Sequence, residues 1–458
     1  MIKNYITYFF FIALIGLVGC KKKQASFAYF TGQIANPKEK EIHLYKKNKE
    51  IKKASLNNEH NFSLKIDSIQ EGLYSFKHGN EIQYLYFMPK DSLVMRLNTW
   101  DFDESLIFSG KGANRNNFLM HLFLENEKQE KLFYKYYRLT ENAFLKKADS
   151  LLQLKLLAYK QFKETSIEKS KQFDNLVHLA IFYPIYSQME KYAKINREKH
   201  QSVSASFYSF RKKTTLNRKD FTTFYAYRNY VNNYFQNKAN QVANKKGIHA
   251  VSMVLLEQIN SELNASNFKD ELLENATINC LLDETCSLDD KQKAIHSFYA
   301  NCKNSKKIKE VKTITNSMQN IRKGDVLPPL ELLNYNGKKV VLNKNNIRQN
   351  SVIYFWPKER NRILFMIKRV KYLKKKYPKI RFIGIDSQLD TFNWKTYIKT
   401  NNLSKENQFK LALKDANKWF CNILPRAIIV DKNGIIQNHF SYIAQRNFET
   451  LLRNLSKN

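Results

Sequence analysis

The sequence predicts an α+β multidomain protein with three structured parts: an N-terminal antiparallel β-sandwich over residues 27–110, an α-helical middle region over 114–318, and a C-terminal α/β domain over 324–458. Three observations indicate this order. Short segments of alternating apolar and polar residues come first, long segments with apolar residues at three- and four-residue steps follow, and buried strand runs then alternate with helical segments. The length of 458 residues also fits about three domains of roughly 150 residues each.

The composition shows that the chain can build hydrophobic cores. Hydrophobic residues make up 43% and aromatic residues 14% of the chain, which excludes a wholly disordered protein. The 12 glycines and 8 prolines are too few for a collagen-like or low-complexity chain, and the 5 cysteines are too few for a disulfide scaffold of this length.

The chain is strongly basic, with 77 Lys and Arg residues against 41 Asp and Glu residues and a net charge of +36. The basic residues are mostly Lys and are spread over the whole length, which is typical of a solvated surface rather than of a nucleic-acid site. The sequence has no glycine-rich phosphate loop, no paired C-x-x-C spacing and no H-E-x-x-H motif. We therefore expect no nucleic-acid partner, no metal and no cofactor. Polyanion binding stays an alternative function that rests on charge alone.

The N-terminus has the features of a bacterial secretory signal. A charged start precedes an apolar stretch of 14 residues, 5–18, which is too short for a comfortable membrane span. The run Leu-Val-Gly-Cys that ends at Cys20 resembles a bacterial lipobox, in which the cysteine becomes the first residue of the mature protein and carries the acyl chains. The resemblance implies a signal peptide over 1–19, lipidation of Cys20, an anchor and linker over 20–26, and attachment to a membrane through the N-terminal lipid.

The residues after Cys20 indicate a location. Lys21-Lys22-Lys23-Gln24 contains no acidic residue, whereas surface-exported lipoproteins of the Bacteroidetes type tend to carry acidic residues there. No second stretch of about 18 or more apolar residues occurs in the sequence. We therefore expect the protein in the cell envelope, lipid-anchored on the periplasmic face of the outer membrane. An ordinary signal peptide with a chance cysteine is the alternative.

Residues 27–110 contain seven segments with strand-like alternation, separated by turn residues such as Asn36-Pro37 and Gly79-Asn80. Short strands at this spacing are typical of a small antiparallel sandwich. The predicted strands are 27–34, 41–45, 61–66, 72–78, 82–88, 92–98 and 105–109.

Residues 114–318 contain very little Gly or Pro and have helical periodicity. Apolar residues from Phe221 to Phe235 fall on one helical face, and the leucines of 151–157 lie in another helical run. Ser287 predicts a helix start, because a hydroxyl cap is followed by acidic residues in the first turn. Aromatic residues interleaved with Lys and Arg at 133–138 could stack nucleic-acid bases, but their helical spacing predicts core and rim positions.

Residues 324–458 alternate between strand and helix patterns. A βαβ unit followed by a β-hairpin and a helix is the order of a thioredoxin-like fold. The predicted elements are strands at 351–356, 381–386 and 427–431, a helix at 361–377, a hairpin turn at 432–434 that leads into a strand at 435–443, and a closing helix at 447–455.

Motifs of this C-terminal domain resemble those of TlpA/ResA-like thioredoxin-fold oxidoreductases. The resemblance covers 324–458 and implies an active-site proline at Pro425 with a cis peptide bond before it. Residues 110–119 similarly resemble the end of the β-domain that precedes thioredoxin-like domains in many Bacteroidetes lipoproteins. The motifs are Gly324-Asp325-Val326-Leu327-Pro328-Pro329 with Asn336-Gly337 at the opening, Tyr354-Phe355-Trp356 in the strand before the active site, and Leu424-Pro425-Arg426 with the strand after it.

The chain departs from this family at the active site itself. The family's C-x-x-C would occupy four positions that hold Arg360, Asn361, Arg362 and Ile363 in this sequence. Dithiol chemistry needs a thiolate at a helix N-terminus and a second thiol that resolves the mixed disulfide, and these side chains supply neither. We therefore predict that the C-x-x-C motif is lost, that this site has no catalytic residue, and that it is redox-inactive.

Four cysteines remain beyond Cys20, and the nine histidines show no metal spacing. Cys421 lies four residues before the predicted cis-proline and is a candidate thiol at the former active-site rim, with a buried structural thiol as the alternative. Cys280, Cys286 and Cys302 could form one structural disulfide in an oxidising compartment, and the sequence leaves the pairing open.

These residues favour binding or scaffolding by an envelope lipoprotein, with an unidentified envelope protein as partner. The alternative is a thiol-disulfide oxidoreductase of the thioredoxin-like superfamily that acts through non-standard cysteines. Because a helix N-terminus favours an anion, the basic residues at the lost active site predict a small anion or carboxylate site formed by Lys358, Arg360, Arg362 and the turn before Pro425. Three solvated side chains are the alternative interpretation of this basic patch.

Overall fold

The computed structural model describes residues 26–199, 201–283, 285–318, 321–357, 360–386, 394–411, 426–444 and 448–457. These residues form two compact units. The N-terminal unit extends to Gly247 and includes Glu262–Asn264, whereas the C-terminal unit contains Ile248–Ser261 and the described residues from Ala265 onward. The helices of 114–318 are therefore distributed over both units. Within the described ranges, no helix is long and apolar enough to cross a membrane.

The N-terminal unit begins with eight strands in two sheets. The strands are β1 (Phe27–Ala35), β2 (Glu41–Lys46), β3 (Lys49–Ser55), β4 (Asn61–Asp67), β5 (Gly72–His78), β6 (Glu81–Phe87), β7 (Ser92–Asn98) and β8 (Ile107–Lys111). Their orders are β4-β1-β7-β8 and β3-β2-β5-β6. Apolar side chains of both sheets share one core, which includes Phe30, Phe76, Phe87 and Met95.

The seven predicted strands are confirmed, with the last one displaced by two residues because Phe102–Ser105 forms a helical turn. Two features differ from the prediction. Strands β1 and β7 pair in parallel, so the arrangement is not purely antiparallel. Strand β3 is absent from the prediction because Lys49, Lys52 and Lys53 hide its alternation. It lies at a sheet edge, where charged side chains discourage pairing with other chains.

Gly112 and two asparagines tie the sheets to the first helix. Gly112 has a φ of 95°, a conformation that favours glycine. The side chain of Asn116 accepts from the backbone N of Tyr86 at 2.7 Å and donates to its O at 3.0 Å. Asn117 makes the same pair of bonds to Phe108, at 2.9 and 2.8 Å. The asparagines thereby satisfy backbone groups on the edge strands β6 and β8.

Four long helices complete the N-terminal unit: α1 (Ala113–Tyr136), α2 (Glu141–Thr165), α3 (Lys171–Arg197) and α4 (Tyr225–Lys246). The predicted helical run of 151–157 is confirmed within α2. The predicted face from Phe221 to Phe235 is confirmed from Tyr225 onward, whereas Phe221 itself lies in a short 3₁₀ turn.

The C-terminal unit begins with four helices: α5 (Val251–Glu262), α6 (Asn267–Leu282), α7 (Leu288–Asn301) and α8 (Ser305–Met318). The helix start predicted at Ser287 is confirmed. Ser287 Oγ accepts from the backbone N of Asp290 at 3.1 Å, and the Asp290 carboxylate accepts from the backbone N of Ser287 at 2.9 Å. These two reciprocal bonds satisfy donors that the helix itself leaves open.

A seven-stranded sheet forms the rest of the C-terminal unit. Its strands are β9 (Leu330–Leu333), β10 (Lys339–Leu342), β11 (Ser351–Phe355), β12 (Arg381–Asp386), β13 (Gln408–Leu411), β14 (Arg426–Val430) and β15 (Ile436–Ser441), with helices α9 (Arg360–Lys376), α10 (Trp394–Thr400) and α11 (Phe448–Lys457). The strand order is β10-β9-β13-β12-β11-β14-β15. Val352 and Tyr354 face one hydrophobic core, and Ile353 and Phe355 face another on the opposite side of the sheet.

The strand directions confirm the thioredoxin-like fold of this domain. Strand β11 pairs in parallel with β12 and antiparallel with β14, and β14 pairs antiparallel with β15. The predicted order of a βαβ unit, a hairpin and a final helix is therefore present. Strands β9, β10 and β13 and helix α10 were not predicted, because each spans only 4 to 7 residues.

Candidate functional site

The candidate site lies where β11 ends and α9 begins. In an open sheet, ligands bind outside the carboxyl ends of parallel strands, and β11 is paired in parallel with β12. Trp356 directly follows β11 and is fully buried, so it forms part of the hydrophobic core next to this edge of the sheet. Helix α9 starts at Arg360, where the resemblance to the thioredoxin-like family places the first cysteine.

An apolar core residue, Ile363, lies where the resemblance to the thioredoxin-like family places the second thiol. Ile363 is 0% exposed and belongs to the same hydrophobic core as Trp356, Met366 and Ile367. This placement follows from the helical spacing of the apolar residues in α9. An aliphatic side chain has no ionisable or redox-active group, so it cannot resolve a mixed disulfide.

Arg362 lines a cavity of about 220 Å³ at this edge of the sheet. Its own side chain is exposed, so it lies at the mouth of the cavity. The walls are mostly apolar and include Phe355, Phe365 and Ile443, and the second charged lining residue is Arg426. The cavity therefore combines apolar walls with two guanidinium groups, and none of the described residues that line it is acidic.

The backbone and two rings fix the position of Arg426. Its Nε and Nη2 donate to the His439 carbonyl at 3.2 and 2.7 Å, and its guanidinium carbon lies 5.8 Å from the ring centre of Phe355 and 5.1 Å from that of Phe440. Arg426 is 1% exposed and always charged. Because its Nε and Nη2 already donate to the His439 carbonyl, Arg426 contributes a fixed positive charge to the cavity wall.

The buried guanidinium also affects His439. Burial, together with the positive charges of Arg426 and Lys291, lowers the pKa of His439 to about 4. The imidazole is therefore neutral at neutral pH and adds no positive charge to the cavity region.

The structure describes only part of the residue set predicted for this site. Lys358, Pro425 and Cys421 lie outside the described residues, as does Cys20. For Arg360 and Asn361 only the helical backbone is described. Arg362 lies at the cavity, and the sequence interpretation missed Arg426. Its place directly after the predicted active-site proline, in the motif Leu424-Pro425-Arg426, was the available signal.

The described cysteines lie in the helices of the C-terminal unit. Cys280 Sγ and Cys286 Sγ are 2.9 Å apart, both buried and both free thiols. Cys302 is also a buried free thiol, and its Sγ lies 3.8 Å from the carbonyl O of Asn304. Among the described residues, no group of three or more His, Cys, Asp or Glu side chains could hold a metal ion.

No protein-family model matches the sequence, and no curated protein matches it. Solved structures match 26–30% of the chain. The thioredoxin domain of a thiol-disulfide oxidoreductase from Bacteroides vulgatus is 20% identical over 30% of this chain and 97% of that one, with a TM-score of 0.25. A thiol:disulfide interchange protein from Bacteroides sp. is 21% identical over 26% of this chain and 81% of that one, with a TM-score of 0.22.

A thiol peroxidase from Chromobacterium violaceum is 17% identical over 30% of this chain and 89% of that one, with a TM-score of 0.25. Because all these TM-scores lie below 0.5, the fold assignment rests on the strand order and directions described above.

Proposed function

We propose that the protein is a lipid-anchored lipoprotein of the cell envelope whose C-terminal domain binds an acidic group of a partner and performs no dithiol chemistry. One observation carries the proposal: the two guanidinium groups of Arg362 and Arg426 line a cavity beside the helix start where the related family places its C-x-x-C motif. The dithiol position has become an apolar core residue, Ile363, and a cationic cavity lies next to it.

The physical chemistry of the helix start favours an anionic ligand. The free backbone N–H groups at the beginning of a helix attract negative charge, and arginines there are unfavourable unless an anion lies between them. Guanidinium groups bind carboxylates through paired, charge-assisted hydrogen bonds. The apolar walls favour an acidic group that belongs to a molecule with a hydrophobic body, such as an aromatic residue that carries a free carboxylate.

A binding comparison of two ligands tests this proposal. The first is N-acetylphenylalanine, which carries a carboxylate, and the second is its neutral amide, which serves as the matched control. The protein is the chain with Cys20→Ala and without the predicted signal peptide, which retains every residue that the structure describes. Calorimetric titration should show tighter binding of the acid. Arg362→Gln should remove that preference, and Arg453→Gln, an exposed arginine on α11, should retain it. Equal binding of both ligands by the wild type would contradict the proposal.

A redox assay tests the second half of the proposal. Insulin reduction driven by dithiothreitol should proceed at the rate of dithiothreitol alone, because Arg360 and Ile363 supply no thiol. Turnover comparable to that of a relative with an intact C-x-x-C would support the alternative, an oxidoreductase that uses other cysteines. Substitution of Cys421, and separately of Cys280, by serine would then identify the thiol.

The lipid anchor requires its own test. The wild-type protein should partition into the detergent phase, and Cys20→Ala should move it to the aqueous phase or leave it unprocessed. Continued partition of a normally cleaved Cys20→Ala protein into detergent would disprove anchoring through this residue. Capture of envelope proteins by the wild type, but not by Arg362→Gln, would identify the acidic partner on the periplasmic face of the outer membrane.

A further inference from the structure

The N-terminal unit contains a second, larger cavity of about 470 Å³. Strand β6 and the helices α1, α3 and α4 form its walls, which are mostly apolar and include Leu119, Phe123, Phe224 and Ala226. Pockets that bury small organic molecules measure about 300–1,000 Å³. This cavity therefore has the size and the lining of a small-molecule site, and it is independent of the function proposed for the C-terminal domain.

Proline and asparagine fix one wall of this cavity. Pro184 lies inside α3 and has no N–H, so the carbonyl of Ala180 loses its usual helical partner. Asn126 of α1 donates its Nδ2–H to that carbonyl at 3.1 Å, and its Oδ1 accepts from Lys155 Nζ at 2.5 Å. Asn126, Ala180 and Pro184 all line the cavity. This wall is therefore formed by the fold itself, before any ligand binds.

Gln188 presents a hydrogen-bonding group to the cavity. The residue lines the cavity and is 5% exposed. Its Oε1 accepts from the hydroxyl of Tyr137, whereas its Nε2 donates to none of the described groups. Its Nε2 is therefore a donor that is open to a hydrogen-bond acceptor of a ligand in this cavity.

The charge of this cavity is opposite to that of the chain. No Lys or Arg is among the described residues that line it, although the chain has 77 basic and 41 acidic residues. The carboxylates of Glu127 and Glu130 line it instead, three residues apart on one face of α1. Glu130 pairs with Lys191 at 3.2 Å, whereas Glu127 has no ion pair among the described residues. Burial is the main cause that raises the pKa of Glu127, the nearby Asp103 and Glu104 raise it further, and Lys131 lowers it.

We propose that this cavity binds a hydrophobic molecule that carries one cationic amine and one hydrogen-bond acceptor. Its apolar body lies against Phe123 and Phe224, its amine faces Glu127, and its acceptor meets the amide of Gln188. Aromatic walls favour such a ligand further, because a cation near a ring face is stabilised.

Three related compounds test the proposal: phenylalanine amide, which is cationic at pH 6, 3-phenylpropanamide, which lacks only the amine, and the anionic N-acetylphenylalanine. Amide chemical shifts of α1 and α4 report binding at this cavity. Phenylalanine amide should bind about two- to fivefold more tightly than 3-phenylpropanamide, the strength expected of a half-exposed ion pair. N-acetylphenylalanine should not shift these amides.

Variants assign the effect to individual residues. Glu127→Gln should remove the preference for the amine, whereas Glu164→Gln, an exposed residue of α2, should retain it. Gln188→Leu should weaken both amides about fivefold, the size of one hydrogen bond. Ala226→Leu fills the cavity and should weaken both at least about tenfold. If this variant does not fold, the comparison of wild type with Glu127→Gln still tests the proposal.

Several results would overturn the proposal. The first is absence of binding by phenylalanine amide at millimolar concentration. The others are an equal preference in wild type and Glu127→Gln, and shifts of the α1 and α4 amides by N-acetylphenylalanine. None of them affects the acid-binding test of the C-terminal cavity, because that test depends on Arg362.

Discussion

The two cavities of this chain differ in charge although they share one strongly basic sequence. The described lining of the N-terminal cavity, of about 470 Å³, contains Glu127 and Glu130 and no basic residue. The described lining of the C-terminal cavity, of about 220 Å³, contains Arg362 and Arg426 and no acidic residue. A net charge of +36 therefore predicts neither site, because the local fold decides which few charges meet at a cavity.

Buried charges are compensated in several ways in both units. In the N-terminal unit, Arg115 pairs with Asp91 at 2.7 Å, and in the C-terminal unit the buried Glu274 pairs with Lys307. In the C-terminal unit, the buried Arg426 donates to a carbonyl and lies between aromatic rings. Buried ion pairs are costly to break, so substitutions at these positions separate the two units experimentally.

The largest effect is expected for Arg115→Met. Arg115 and Asp91 are each 1% exposed, and Arg115 also contacts the Glu168 carboxylate. The variant leaves a buried carboxylate without its partner, so the free energy of unfolding of the N-terminal unit should fall by about 3–5 kcal/mol. Hydrogen exchange of α1 measures this loss, and Lys163→Met, an exposed cation on α2, is the control. Unchanged exchange in α1 would contradict a structural role of the pair.

A pH effect of about 2 kcal/mol is expected for Lys155. Burial lowers its pKa from 10.5 to about 7. Between these values the unfolded chain holds the proton and the folded protein has released it, so stability rises with pH. From pH 7 to 9 the wild type should gain about 2 kcal/mol relative to Lys155→Met, as measured by urea unfolding. Parallel pH profiles of the two proteins would show that this lysine titrates normally.

A redox effect is expected in the C-terminal unit alone, since every described cysteine belongs to it. Cys280 and Cys286 have their sulfurs 2.9 Å apart. Mild oxidation with diamide should join them with loss of two hydrogens, which mass spectrometry detects, and closing this short loop should stabilise the unit by about 2 kcal/mol. Cys302→Ser should leave the product unchanged. Two free thiols at these positions after diamide treatment would contradict the prediction.

The smallest effect is expected for His439. Its pKa is about 4 in the folded protein and 6.5 in the unfolded chain, so between these values the unfolded chain binds the extra proton. The C-terminal unit should therefore lose stability as the pH falls from 7 to 4.5, by about 1–2 kcal/mol after allowance for partial exposure. His439→Gln should lose correspondingly less over the same range. A larger loss of stability in the variant than in the wild type would contradict the predicted direction of the pH effect.

The sequence predicts the elements of this protein where periodicity is strong. The strands of the N-terminal sheets, the helix predicted at 361–377 and the cap at Ser287 all agree with their patterns. Strand β3 is not predicted from the sequence, because an edge strand can be almost entirely polar. The parallel pairing of β1 with β7 is not predicted either, because it depends on contacts between residues about sixty positions apart, which no local pattern encodes.

The sites are less predictable than the elements. Arg362 can be predicted as a site residue from the sequence, since it occupies one of the four positions at which the resemblance places the C-x-x-C motif. The N-terminal cavity is not, because its polar lining residues come from β6, α1, α3 and α4, which are far apart in the sequence. Gln188, Asn126 and Glu127 look like ordinary helix residues until the fold brings them together. Pro184 was the one visible signal, since proline inside a helix leaves a carbonyl that another side chain must satisfy.

The central claim is that the two cavities of one chain select ligands of opposite charge, and one titration tests it directly. Phenylalanine amide and N-acetylphenylalanine are added together at pH 6 to the same sample, while amide shifts of α1 and α9 are followed. The account predicts two sites that fill independently, with Glu127→Gln affecting only the amide and Arg362→Gln affecting only the acid. Competition between the two ligands, or loss of both through one substitution, would contradict it.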